Sequence, residues 1–238
     1  MLTVSPEFVD PDYIYVNLLI NIEYNKNLTT LSASGIRDLA QTAVTNYFST
    51  NLQKFNLPFY FSQLLKREGE VNTSVLNVLS EVRIQKRITP ILNVANSYVG
   101  DTIIKFNNRL HPNGLQSTRF FITQGDLTVP VRMADQHIPV DAAPDYDGTG
   151  EVYLYNPDNN VRIDTIGSIN YATGEVTINS ITPTGFPTGS FDIRITCEAQ
   201  ESSYNITSSR NQIIVLDDST QSDTFNRLAG LTITATPV

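Results

Sequence analysis

Hydrophobic and polar positions follow two different periods along the chain, and the changes of period mark its elements. In residues 12–24, DYIYVNLLINIEY, the apolar Ile14, Val16, Leu18, Ile20 and Ile22 recur at every second position, with Tyr15, Asn17, Asn21 and Glu23 between them. Period two with β-branched residues predicts a long, half-buried strand, ended by Asn25, Lys26 and Asn27. Over 33–55 the period becomes helical: Ile36, Leu39, Ala40, Ala43, Tyr47, Phe48, Leu52 and Phe55 share one face. Ser32 or Ser34 supplies the N-cap, since a hydroxyl accepts from the unpaired amides of a first turn. Asp38 early and Lys54 late suit the helix dipole, and Pro58 follows the end. A shorter helix is predicted over 62–68, stopped at Gly69. Val71, Val75, Val78, Val82, Ile84 and Ile88 then restore strand character up to Pro90, as one bent strand or a hairpin. The opening region reads as a β-α-α-β unit, a sheet with helices on one face.

From about residue 100 the pattern changes. No useful helical period remains. Short apolar runs at 102–106, 119–123, 127–132, 152–155, 161–166, 175–178, 191–197 and 213–216 alternate with turn signals: HPNG at 111–114, QGD at 124–126, NPDNN at 156–160, ATGE at 172–175 and PTGFPTG at 183–189. Strands at that spacing predict a mostly antiparallel, sandwich or barrel-like β region, with a hairpin turning at Ala172, Thr173 and Gly174. The fold class is therefore α+β. The expected units are 1–95 and 96–238, divided in the polar stretch 93–100.

Charge sharpens this division. Residues 1–92 are neutral overall, whereas 93–238 carry the whole net charge of −8. An acidic surface repels phosphate, so nucleic acid is not an expected partner. No apolar run is long and uncharged enough to predict a membrane span, and the N-terminus lacks the basic-then-apolar order of a secretory signal. Cys197 is the only cysteine, so no intrachain disulfide forms, which fits folding in a reducing cytoplasm. The basic cluster Arg83, Lys86 and Arg87 is either a solvated strand face or an ion-pairing contact for a partner.

The remaining polar positions hold no catalytic constellation. His111 opens a turn and His137 is placed in a loop; neither has the spacing of a metal pair or a triad. Gly148-Thr149-Gly150 precedes a strand, whereas a phosphate-binding loop opens a helix. Asp141, Asp145, Asp147 and Glu151 offer oxygens to calcium, but they do not fit the EF-hand spacing. Sequons at Asn27, Asn72 and Asn205 mean little without a signal peptide. No catalytic residue, cofactor or metal ligand is assigned, and the chain is read as a non-enzyme. The aromatics Tyr13, Tyr15, Tyr47, Phe59, Tyr60 and Phe61 are expected mostly in the core, with some of Tyr13, Tyr15 and Tyr60 outside it as interface anchors.

The opening FVDPDY, the long alternating strand, a helix ending in YFSTNLQKFN, then FYFSQLL and VRIQKRITP resemble the C-terminal part of the T4-type baseplate wedge subunit that builds the inner baseplate ring, related to the baseplate J-like proteins. GSINYATGEVTI and RNQIIVLDD resemble the β-rich terminal domain of the same family. The resemblance implies a structural virion protein of a contractile phage tail, assembled in the bacterial cytoplasm. It further implies homodimers joined into a ring and contacts with other wedge proteins. Such proteins are longer, so the chain is expected to be a C-terminal fragment or a shortened relative. Two contact patches are expected. One comprises the exposed side of the first helix with Phe59, Tyr60 and Phe61; the other is the acidic β region. The competing reading is an acidic β module that binds calcium or carbohydrate.

Overall fold

The structure, a computed structural model, describes residues 11–138, 148–200, 205–217 and 230–238. Strand β1 spans Asp12–Tyr24, helix α1 Ala33–Asn51, helix α2 Phe61–Gly69 and strand β2 Val75–Ile88. The short strands β3 (Asn96–Tyr98), β4 (Ile104–Lys105), β5 (Gln116–Ser117) and β6 (Phe120–Gln124) follow. Longer antiparallel strands come next: β7 (Leu127–Ile138), β8 (Thr149–Asn156), β9 (Val161–Asn170) and β10 (Glu175–Ile181). β11 (Pro183–Gly185), β12 (Ile193–Glu198), β13 (Gln212–Leu216) and β14 (Leu231–Pro237) complete the described elements. The fold is α+β and dominated by strands.

The sheet runs β13-β1-β2-β12-β5-β7-β8-β9-β10-β3. β1 and β2 form a long antiparallel ladder from Tyr15↔Gln85 to Tyr24↔Val75. Three strands from the far end of the chain complete this part. β12 pairs antiparallel with the other side of β2, while β13 and β14 lie end to end, parallel to β1, along its outer side. The strand pairings thus cross residue 95 repeatedly.

The β1 alternation is realised as predicted. Ile14, Val16, Leu18, Ile20, Ile22 and Tyr24 are buried on the face covered by the helices. Burial of each such side chain stabilises by about 1.5–3 kcal/mol. From α1 this layer receives Ile36, Ala40, Val44, Tyr47 and Phe48. Val44 therefore belongs to the stripe that the sequence pattern assigned partly to Leu39, which is 40% exposed. Ser32 is the N-cap, its Oγ accepting from Gly35 N at 3.3 Å.

The helix ends sooner than the 33–55 expectation. After Leu52 the chain turns through left-handed Gln53 (φ 41°) and Asn56 (φ 59°). The segment between them runs along β13 instead: Gln53 N donates to Ile214 O and Asn56 N to Gln212 O. Bonding to a strand edge outweighs one more helical turn here. β2 is a single continuous strand and begins at Val75, so Val71 lies in the turn before it. The run at 102–106 contributes only β4. The predicted hairpin joins β9 and β10, with Glu175 opposite Asn170 and Gly174 at φ +69°.

Candidate assembly surface

The side chains of β2 alternate across the sheet, and this separates the three basic residues. Arg83 and Arg87 share the face away from the helices with Gln85, whereas Lys86 shares the helix-side face with Ile84 and Ile88. All three find partners inside the chain. Arg83 bonds Glu81 and Glu198 at 2.6 and 2.9 Å. Lys86 Nζ reaches both oxygens of Asp12 at 2.6 Å, and Gln212 Nε2 donates to the same carboxylate. Burial pushes the Lys86 ammonium below its ordinary range, opposed by Asp12. Arg87 donates to Asp217 Oδ1 at 2.8 Å and to Gln85 Oε1 at 2.9 Å, and its guanidinium lies 3.6 Å from the Tyr15 ring centre. Both sequence readings of the cluster give way. It is neither a solvated face nor a set of charges held out for a partner, because acids brought in by β1, β12 and the end of β13 neutralise it.

Asp217 is the hub of this arrangement. It is fully buried and also accepts from Asn17 Nδ2 at 3.0 Å and Gln85 Nε2 at 3.2 Å. Thr196 of β12 meets the same Gln85 amide at 3.4 Å. Three strands and the residue that follows β13 meet in one buried hydrogen-bonded group. Gly230 is required beside it, since a methyl there would run into the Asp217 carbonyl oxygen. Outside this network the same sheet face is open, with Tyr13 40%, Leu19 39% and Leu79 58% exposed.

The aromatic segment after α1 divides differently from the expectation. Phe59 is fully buried, packed edge-on to Tyr47 at 6.0 Å and tilted against Phe48 at 5.7 Å. Its backbone exchanges hydrogen bonds with Ile206 at 2.8 and 3.0 Å. Phe59 is therefore a core residue and not part of a contact patch, while Tyr60 is exposed. The outer side of α1 is polar and nearly uncharged, with a shallow groove at Asp38, Gln41, Thr42, Thr45 and Asn46.

Glu68 of α2 was not singled out by sequence. It is completely buried; its Oε2 accepts from Ser80 Oγ at 3.2 Å, and its Oε1 has no hydrogen-bond partner among the described residues. Loss of hydration pushes its carboxyl up to about 7, with Ser80 opposing the shift. Only Leu64 and Glu68 of α2 are buried, so one of its two deepest anchors is ionisable.

The other polar candidates have structural partners. His137 lies in β7, not in a loop, and its ring is 5.6 Å from that of Tyr171. Beside it, the buried Asp135 accepts from Tyr171 OH at 2.7 Å and from the amides of Asn113 and Leu115 at 2.9 Å. This clasp ties the HPNG turn, which His111 opens, to β7 and the β9–β10 hairpin. Thr149 and Gly150 are the first two residues of β8, and Glu151 pairs with Arg162. Asn205 accepts from Phe61 N at 3.2 Å. Asp141, Asp145 and Asp147 of the calcium expectation lie outside the described residues. Among the described residues, no group of three or more His, Cys, Asp or Glu side chains is placed to hold a metal ion.

Against this geometry, the comparison with known families is local and specific. Residues 12–87 match the family model described as baseplate structural protein gp6, C-terminal domain III. The match begins where β1 begins and ends one residue before β2 ends, so it coincides with the β-α-α-β unit. It supports a structural protein of a contractile-phage tail baseplate, in contact with other baseplate proteins. No curated protein matches the chain.

Proposed function

We propose that the chain is a wedge subunit of the inner baseplate ring, related to the baseplate J-like proteins. It acts through homodimer and ring-forming contacts that join wedges, and it is assembled in the bacterial cytoplasm. On this reading residues 1–95 carry the ring-building unit and residues 96–238 the β-rich part, and the chain performs no catalysis. The observation that carries the proposal is the coincidence of the gp6 match with one complete sheet-and-helix unit. The physical setting is consistent with it. The basic residues Arg83, Lys86 and Arg87 of β2 are paired within the chain, and Tyr13, Leu19 and Leu79 remain exposed on the sheet face for a partner.

Dimerisation needs an isologous contact and ring assembly a heterologous one. Light scattering on the purified chain across a concentration series tests the first. The expected result is a mass that rises to twice the monomer value. A monomer at every concentration would remove self-pairing from the proposal.

A further inference from the structure

β13 and β14 lie on the same side of β1, yet their far sides are treated differently. That of β13 is closed by the chain itself, through the amides of Gln53 and Asn56 and the bridge between Phe55 and Ile213. β14 has no such cover among the described residues. Leu18 N donates to Gly230 O at 2.7 Å, and Val238 N donates to Tyr24 O at 3.0 Å. With the register Leu18↔Leu231 to Tyr24↔Pro237, the even-numbered residues of β14 direct their backbone groups at β1. Leu231, Ile233 and Ala235 direct theirs outward, where no described group meets them. Pro237, at the next outward position, has no N–H.

Exposed edges are commonly blunted by charged side chains, prolines or bulges, and Pro237 blunts only the last outward position of β14. Residues 230–238, GLTITATPV, contain no charged residue, and β14 keeps an unbroken register against β1. The usable edge is centred on Ile233, with one outward residue on either side. Such an edge is self-complementary, because a two-fold axis at Ile233 sets Leu231 opposite Ala235 and Ala235 opposite Leu231. Each outward N–H then meets a C=O of the other copy. Two copies that each carry −8 repel through acidic surfaces, and a strand without charge avoids that repulsion.

We propose that the outer edge of β14 recognises a second copy of this chain, pairing antiparallel with the same edge about Ile233. The proposal rests on the assembly reading above and names the surface by which self-pairing occurs.

The test combines light scattering with two replacements at one position. Ala235→Pro removes an outward N–H and places a ring on the edge, while the bonds of Thr234 and Thr236 to β1 are kept. Ala235→Val leaves the donor in place. The expected result is a dimer for the parent and for A235V, and a dissociation constant raised at least about tenfold for A235P, because each dimer loses two hydrogen bonds. A dimeric parent whose affinity is unchanged in A235P overturns the β14 edge and leaves the assembly reading standing. A parent that stays monomeric overturns self-pairing itself and leaves the edge for a strand of a different protein. Amide hydrogen exchange on the parent decides the matter should A235P not fold. The Leu231, Ile233 and Ala235 amides are expected to slow as concentration drives dimerisation, and unchanged rates in the dimer overturn the proposal.

Discussion

On one face of the β1–β2 ladder, Ile14, Val16, Leu18, Val82 and Ile84 lie buried with the helices above them. On the other face Asn17 and Gln85 are equally buried, but they meet Asp217, Thr196 and the Arg87 guanidinium. The apolar layer supplies most of the stabilisation and is non-directional, so a two-residue slip of β2, which keeps every side chain on its own face, would bury similar area. The polar layer is directional. The same two-residue slip would draw Gln85 and Arg87 away from Asn17, Thr196 and Asp217 and break their bonds. Stabilisation and register thus rest on opposite faces of the same two strands.

Two replacements break this comparison from its two sides. Phe59→Ala removes the ring that packs on Tyr47 and Phe48, and it is expected to cost about 3–5 kcal/mol in denaturant unfolding. Asp217→Ala is expected to cost about 3 kcal/mol, because it strands the Arg87 charge and the Gln85 and Asn17 amides. The two should also differ in kind. Phe59→Ala leaves the strand pairing of β13 intact, whereas Asp217→Ala should speed amide exchange at the β13 end of β1. Equal exchange at that end in both variants would remove the register role from the network.

A smaller effect sharpens the comparison, since Glu68 is a carboxyl placed in the apolar layer. Its folded-state proton affinity is raised to about 7, so its contribution is fully present below the ordinary carboxylate range and is lost as pH rises through about 7. Relative to Glu68→Gln, the parent should lose on the order of 1–3 kcal/mol between pH 5 and pH 8. No charged group is among the causes of its shift, and among the described residues its hydrogen bond is to Ser80 of β2. On its own helix, Lys66 pairs with Glu70 and Arg67 lies over Tyr47 of α1. Parallel stability curves for parent and variant would contradict this account.

The local elements were legible in the sequence because periodicity is a local property. β1, the Ser32 cap, the body of α1 and the hairpin at Gly174 all follow from spacing and turn chemistry. What was missed depends on distant segments. The fate of Arg83 and Arg87 is decided by Glu198 and Asp217, more than a hundred residues away, and no spacing rule joins them. The early end of α1 likewise depends on β13 offering an edge to Gln53 and Asn56. Phe59 is not separable from a contact residue by sequence, because an aromatic cluster looks the same there whether it faces solvent or the core. β14 lies outside the predicted runs altogether, although LTITAT alternates, and its pairing with β1 is a matter of long-range topology.

The central claim is that this chain is a structural component of the baseplate. Gold-labelled antibodies against it, imaged on purified contractile-tailed particles by electron microscopy, test that claim most directly. The account predicts label concentrated at the baseplate end of the tail, together with the chain's presence in the protein complement of the purified particles. Particles that lack the chain altogether would contradict it.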